Sequence, residues 1–161
     1  MTSIDLQRLS VRELLALWAS SLRELRERGI VRTFNNPIGD IAEELVAQHY
    51  GGERGSFSQK TWDVRAGEEL LQVKALRRTG TRTRRNLSPI RSDDGYTAVI
   101  VVVFTEDLRV DYAVRIPREV VNELFVRRPH VNGRIIHLGR RLLEHPLVEV
   151  VPVSDEALDA P

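Results

Sequence analysis

Apolar residues recur at helical spacing in the first part of the chain, and the clearest stretch is "SVRELLALWASSLRELRERG". Ser10 and Glu13 have the spacing of a capping box, and Gly29 supplies a C-terminal stop. The pattern predicts an amphipathic helix whose apolar face packs into the core. That face comprises Leu14, Leu15, Trp18, Leu22 and Leu25.

A second helical pattern follows in "NNPIGDIAEELVAQHYGG". Asn36 is the expected N-cap, Pro37 the first helical residue, and Gly51 the start of the glycine pair that ends the helix. Glu43 and Glu44 flank the apolar face on opposite sides. One of these two carboxylates can therefore reach over the edge of a neighbouring sheet, and the helical spacing does not separate them.

Beyond residue 57 the pattern becomes that of strands. "TWDVRA" and "ELLQVKAL" lie on either side of Gly67, which predicts a hairpin with a short turn. "YTAVIVVVF" is an unbroken apolar run, typical of a central strand that is covered on both faces. "RVDYAVRI" alternates and predicts an outer strand.

The remaining segments predict one α/β domain. "PREVVNELFVRR" indicates a helix that begins at Pro117, "LVEVVPV" a final strand, and "SDEALDAP" a frayed end. The expected fold is a mixed sheet flanked by helices, with an extra N-terminal helix. We predict a single domain over residues 1–161, with a helical extension over about 1–30 and a core over about 36–152.

Composition excludes several classes of protein. The chain has 161 residues, of which 42% are hydrophobic and 29% charged, and it contains no cysteine. Disulfides, thiolate zinc sites and a cysteine nucleophile are therefore excluded. No apolar run approaches the roughly 18 residues of a membrane span, and no signal-peptide pattern is present. We expect a cytoplasmic protein without a membrane partner.

The candidate catalytic side chains lie around the predicted hairpin. Gln72 and Lys74 project from the same face of a strand. An unpaired lysine in a strand core is costly, so Lys74 needs a partner. Asp63, at the end of the neighbouring strand, can lie near both side chains. A carboxylate, an amide oxygen and an ammonium suit hydrolysis of a phosphodiester with Mg²⁺.

This arrangement resembles the motifs of the PD-(D/E)xK nuclease superfamily, and most closely its Mrr-like branch, where the second motif is often Q-x-K. The resemblance covers residues 36 to about 117. It runs through "GDIAEELVA", "SQKTWD", "LQVKA", "AVIVVVF" and "VDYAVRIP". It implies a restriction-endonuclease-like fold and a nuclease that depends on Mg²⁺ or Mn²⁺.

The resemblance also implies roles for individual residues. Asp63 and Gln72 would be metal ligands, and Lys74 the catalytic lysine. Glu43 or Glu44 would be the helix carboxylate that completes the site. Glu43 is favoured because resembling sequences place this glutamate four residues after the glycine, here Gly39.

Six arginines and no acidic residue lie between Arg77 and Arg91. Their position after Lys74 predicts contacts with the phosphates that flank the scissile bond, and therefore salt-sensitive binding. The candidate phosphate-binding residues are Arg77, Arg78, Arg82, Arg84, Arg85, Ser58 and Lys60.

Three functions stay open. The expected partner of a nuclease is DNA, with RNA as an alternative. A binding module that keeps the fold without catalysis is a second hypothesis. A structural or regulatory protein, in which Asp63 and Lys74 form an internal ion pair, is the third. For the first helix, the alternative to core packing is the face of a homodimer, which would suit a nuclease that acts on both strands of a duplex.

Overall fold

The structure is a computed structural model that describes residues 4–56, 58, 61–80 and 85–160. Its α-helices are α1 (Val11–Glu27), α2 (Ile38–Tyr50), α3 (Arg118–Leu124) and α4 (Arg140–Leu143). Its strands are β1 (Glu53–Arg54), β2 (Val64–Ala66), β3 (Glu69–Arg77), β4 (Ala98–Phe104), β5 (Val110–Pro117), β6 (Arg127–Arg128), β7 (Gly133–Arg134) and β8 (Glu149–Val151).

A mixed sheet forms the centre of the molecule. Its six strands lie in the order β1-β2-β3-β4-β5-β8, while β6 and β7 form a separate pair. The strands β3 and β4 run parallel, and every other neighbouring pair in the large sheet is antiparallel. The structure therefore confirms the predicted α/β class, with a mixed sheet flanked by helices.

The two faces of the sheet have separate cores. All seven residues of β4 are buried, as the unbroken apolar run predicted. Ile100 and Val102 face the side covered by α2, and Val99 and Val101 face the side covered by α3 and α4. Because β4 is covered on both faces, alternation of polar residues along it would bury unpaired polar groups.

The first helix differs from its prediction. The capping box between Ser10 and Glu13 is present. However, Trp18 is 53% exposed and Leu15 54%, and of the residues in α1 only Leu22 is buried. The prediction that the apolar face packs into the core is therefore wrong for the first turns, because the helix contacts the body of the protein only near its C-terminal end.

The carboxyl-terminal part also differs. The strand β5 is not at the sheet edge, because β8 pairs with its residues Ala113 to Arg115. The tail is not frayed as predicted: Val153 is buried, and Leu158 packs against the core on the α2 side. The carboxylate of Asp155 accepts a hydrogen bond from the Val110 backbone N–H at 2.8 Å. This bond holds the segment against β5.

Two smaller features position the site. The helix α2 begins one residue later than predicted, with Pro37 at the N-cap and the Asn36 side chain accepting from the Ile38 N–H. It ends at Gly51, whose positive φ of 60° suits a residue without a side chain. The predicted hairpin turn forms at Gly67, also with φ of 60°.

No helix in the described ranges has the length and apolar character that crossing a membrane requires.

Candidate active site where the β2–β3 hairpin opens

The strands β2 and β3 separate at Asp63. Its backbone N–H donates to the Leu71 carbonyl at 2.8 Å, which is the last backbone bond before the strands diverge. Beyond that point the Asp63 side chain takes the place of a strand partner, because its Oδ2 accepts from the Val73 N–H at 2.7 Å. The carboxylate therefore lies close to the plane of the sheet, where side chains from both faces can approach it.

Glu43 approaches from the α2 side of this opening. It lies on α2, and its carboxylate accepts from the guanidinium of Arg32, with Arg54 at 3.6 Å. Glu43 and Asp63 line one cavity of about 150 Å³. The other described residues on its wall are Arg32, Asp40, Gly55, Ser56 and Trp62.

The two carboxylates oppose each other electrostatically. Burial raises the pKa of Glu43 above its ordinary value, and the charge of Asp63 raises it further, while Arg32 and Arg54 partly offset both effects. Burial also raises the pKa of Asp63, against the hydrogen bond from Val73 and the charges of Lys74 and Arg32. Two carboxylates that resist ionisation together favour a cation between them.

Lys74 reaches the same region from the opposite face. It pairs with Val101 in the β3–β4 ladder, so it projects toward the α3 and α4 side. Its ammonium donates to the Pro89 carbonyl oxygen at 3.5 Å. Burial lowers the pKa of Lys74, and the charges of Asp63 and Glu43 oppose this shift. The ammonium makes its hydrogen bond to a backbone carbonyl and no ion pair with a carboxylate of the described residues, although the charges of Asp63 and Glu43 act on its pKa.

Gln72 is placed differently from the other candidates. Its side chain is 6% exposed, and its Nε2 donates to the Thr61 carbonyl oxygen at 2.6 Å. It does not belong to the wall of the cavity that Asp63 and Glu43 share. The structure thus brings Asp63 and Glu43 together in one cavity, whereas Gln72 and Lys74 lie on the neighbouring strand with hydrogen bonds to other backbone carbonyls.

The neighbouring glutamates on α2 have different surroundings. Glu43 lies on the cavity wall, whereas Glu44 accepts from Gln48 at 2.9 Å and from Arg54 at 3.2 Å, away from the cavity. The two residues are adjacent and chemically identical. Glu44 is therefore a matched reference for any test of Glu43.

The donor set fits a divalent cation that keeps much of its water. No group of three or more His, Cys, Asp or Glu side chains is arranged for a metal within the part of the chain that the structure describes. Mg²⁺, however, is commonly held by one or two carboxylates together with substrate phosphates. The hydrogen bonds given above use Asp63 Oδ2 and Glu43 Oε2. Among the described residues no donor contacts Asp63 Oδ1 or Glu43 Oε1, so each carboxylate has a second oxygen that can bind a metal or its water.

The predicted phosphate-binding arginines make internal contacts. Arg77 donates to the Glu106 carbonyl, with its Nε at 2.7 Å, and Arg78 pairs with Asp111 at 2.5 Å. Arg85 is exposed, and its backbone carbonyl accepts from Leu138. Arg77 lies three residues beyond Lys74, about 10 Å along an extended strand.

The remaining phosphate-binding candidates are a serine and three residues that lie outside the described part of the chain. The hydroxyl of Ser58 lies 3.1 Å from that of Ser56, which lines the cavity. Lys60, Arg82 and Arg84 are the candidates outside the described residues.

Sequence reasoning missed several charged residues near the site. Arg32, Asp40 and Arg54 surround Glu43, and the charge of Arg91 contributes to the lowered pKa of Lys74. Arg91 belongs to the run of arginines that the sequence pattern singled out. No sequence pattern marks Arg32, because it lies in the link between two helices and its partners come from α2 and from Gly55.

Comparison with known proteins identifies no relatives: no family model matches the chain, and no curated protein has a sequence significantly similar to it.

Proposed function

We propose that the protein is a metal-dependent nuclease that hydrolyses phosphodiester bonds in DNA. One observation carries this proposal: Asp63 and Glu43 line one small cavity, while Asp40, the third carboxylate on its described wall, is already held by Arg32, Thr33 and Arg54. Glu43 lies on α2 and Asp63 directly before β2, and Lys74 lies on β3 beside them. Ion pairing for stability alone would not require two carboxylates to share a cavity.

The sheet supports a restriction-endonuclease-like arrangement. A helix that carries a glutamate precedes an antiparallel hairpin, and the second hairpin strand runs parallel to a buried central strand. The aspartate lies where the hairpin opens, and the lysine lies on the strand beside it. This order matches what the resemblance of the sequence motifs implies.

Each residue has a distinct task in the proposed reaction. Asp63 and Glu43 would hold Mg²⁺ or Mn²⁺, which lowers the pKa of a bound water and polarises the phosphate. Lys74 would orient the attacking water or stabilise the charge that develops on the phosphate. Gln72 holds the Thr61 carbonyl and thereby positions the segment that precedes Asp63.

The proposal predicts nicking of supercoiled plasmid by the purified protein with Mg²⁺ or Mn²⁺. Asp63→Asn and Lys74→Met should each lower the nicking rate by roughly 100-fold or more, because each removes a charge needed in the transition state. Agarose electrophoresis over time measures the rate, and circular dichroism verifies that each variant is folded.

Arg140→Gln is the control for this assay, since Arg140 is exposed and pairs with Glu144 one helical turn away, at the end of α4. It should nick like the wild type. Nicking that persists in both Asp63→Asn and Lys74→Met would refute the assignment of the site.

A second candidate function is nucleic-acid binding without catalysis. Gln72 favours it, because this residue carries no charge and does not line the cavity, which leaves two carboxylates for the metal. This function predicts salt-dependent DNA binding that is unchanged by Asp63→Asn and by a chelator. The structural alternative needs a direct ion pair between Asp63 and Lys74. The hydrogen bond from Lys74 to Pro89 does not favour it.

A further inference from the structure

Arg32 lies inside the proposed metal site. Its Nη2 donates to Glu43 Oε2, and its Nη1 donates to the Gly55 carbonyl at 2.6 Å. Its backbone N–H donates to Asp40 Oδ2 at 2.8 Å, which fixes the start of the side chain. The guanidinium therefore bridges the N-terminal half of α2 and the segment that leads to Asp63.

The position of Arg32 differs from that of the second arginine near Glu43. Arg54 has a side chain that is 12% exposed, and it donates to the carbonyls of Gly29 and Ile30 and to Glu44. It lies behind the cavity and does not line it. Arg32 is 30% exposed and is the one cationic side chain among the described residues of the cavity wall.

Arg32 also acts on both carboxylates. Its positive charge opposes the upward shift in the pKa of Glu43 and that of Asp63. In the absence of metal it therefore supplies part of the positive charge that the cavity requires. A divalent cation that binds Asp63 and Glu43 has to compete with this guanidinium for Glu43.

We propose that Arg32 is a positioning residue that holds Glu43 in the metal-free protein and releases it when a divalent cation binds. This inference rests on the proposed metal site. Glu43 Oε1 stays open to the cation, but the guanidinium on Oε2 places a like charge beside it, and this repulsion drives the release. The metal affinity of the protein alone is therefore weaker than two carboxylates would provide without Arg32.

The released guanidinium has a new partner in the substrate. It remains on a cavity wall that Ser56 also lines, and a guanidinium binds phosphate through two parallel N–H bonds. A phosphate that binds Arg32 frees Glu43, and a metal that binds Glu43 frees Arg32. The two ligands therefore favour each other, and this coupling acts equally in both directions.

Calorimetric titration of the full chain with Mn²⁺ alone tests the inference. Arg32→Gln keeps a donor for the Gly55 carbonyl and removes the charge, so it should bind Mn²⁺ roughly three- to tenfold more tightly than the wild type. A merely structural role for Arg32 would weaken binding. Arg140→Gln removes one positive charge at an exposed site and should leave the affinity unchanged.

A second titration adds a short duplex in the presence of Ca²⁺, which is used so that the duplex is not cleaved. The duplex should raise the Ca²⁺ affinity of the wild type and have a smaller effect on Arg32→Gln. If Arg32→Gln does not fold, Arg32→Met replaces it. Methionine also removes the charge and the bond to Glu43, so Mn²⁺ binding tighter than in the wild type is again expected.

The outcomes separate the inference from the proposed function. If Asp63→Asn abolishes Mn²⁺ binding but the folded Arg32 variant binds no more tightly than the wild type, the inference fails and the metal site stands. If neither the wild type nor the Arg32 variant shows binding that depends on Asp63, both fail. Mn²⁺ binding that is measurable only in the Arg32 variant supports the inference.

Discussion

Asp63 combines a structural and a chemical role. One carboxylate oxygen replaces a strand partner by accepting from the Val73 N–H, which lets β2 end without leaving that donor unpaired. The same carboxylate faces Glu43 across the cavity. A neutral side chain of the same shape can perform the first role but not the second. Asparagine at this position therefore separates the two.

The raised pKa of Asp63 predicts how stability depends on pH. The folded protein binds this proton more tightly than the unfolded chain does. The resulting stabilisation is full below the unfolded pKa and is lost as the pH rises through the folded pKa. In EDTA, Asp63→Asn should therefore gain stability relative to the wild type between about pH 4 and pH 7. Urea unfolding at both pH values measures the difference.

Asp93 provides the opposite case as a control. Its hydrogen bond with Arg134 lowers its pKa, so its stabilising effect is present above the unfolded pKa and is lost in acid. Asp93→Asn should therefore be less stable than the wild type by a nearly constant amount between about pH 4 and pH 7, and the difference should shrink only in stronger acid. A stability difference for Asp63→Asn that also stays constant between about pH 4 and pH 7 would contradict the raised pKa of Asp63.

At the residue scale, sequence reasoning located part of the site. The sequence allowed the selection of Asp63, Lys74 and the two helix glutamates. Charged side chains at partly buried positions of a hairpin or helix are energetically unfavourable unless they have a partner or a function. The preference for Glu43 over Glu44 came from the resemblance, and the cavity wall contains Glu43. Arg32 could not be found, because its role depends on three-dimensional contacts with Asp40, Glu43 and Gly55.

At the scale of elements, α1 is unusual. It carries a complete capping box and an apolar face, but its first turns contact little of the protein, and Val11 is 73% exposed. Local capping and helix propensity therefore stabilise these turns more than tertiary packing does. Near the C-terminal end, Leu22 is buried and Leu25 packs against the core.

This difference along α1 predicts a local effect for Ser10→Ala. The change removes the acceptor for the Glu13 N–H and should destabilise the first turns by about 1 kcal/mol. Hydrogen exchange of the Leu14 amide should become roughly fivefold faster, while the midpoint of urea unfolding changes little.

Ser20→Ala on the same exposed helix is the control, because the Ser20 hydroxyl makes no hydrogen bond with any described residue. It should leave the exchange of the Leu14 amide unchanged. A shift in the urea midpoint as large as that of a core substitution would mean that the first turns of α1 are part of the cooperative core.

The sequence predicted long elements better than short ones. The central strand and the helices α1 and α2 have long periodic patterns and defined stops, which local sequence determines. The β8 strand has three residues, and its pairing moves β5 from the sheet edge to an inner position. Such pairings depend on contacts between distant segments, as does the bond that holds Asp155 to Val110. Local sequence patterns therefore do not predict the β5–β8 pairing or the hydrogen bond between Asp155 and Val110.

At the scale of the whole molecule, the site depends on three separate elements. The helix α2 covers one face of the sheet and carries Glu43, and β3 presents Lys74 on the other face. The opening of the hairpin places Asp63 between them. The basic run begins at the far end of β3, where the Arg78 N–H donates to the Phe104 carbonyl. Near its other end, the Pro89 carbonyl accepts from Lys74.

Calorimetric titration with Mg²⁺ or Mn²⁺, comparing Glu43→Gln with Glu44→Gln, tests the central claim most directly. The two variants lose the same charge at adjacent positions of one helix, and only Glu43 shares the cavity with Asp63. The account predicts that Glu43→Gln weakens metal binding at least tenfold, like Asp63→Asn, and that Glu44→Gln binds like the wild type. Equal affinities in Glu43→Gln and Glu44→Gln, or wild-type binding that survives Asp63→Asn, would contradict a metal held between these two carboxylates.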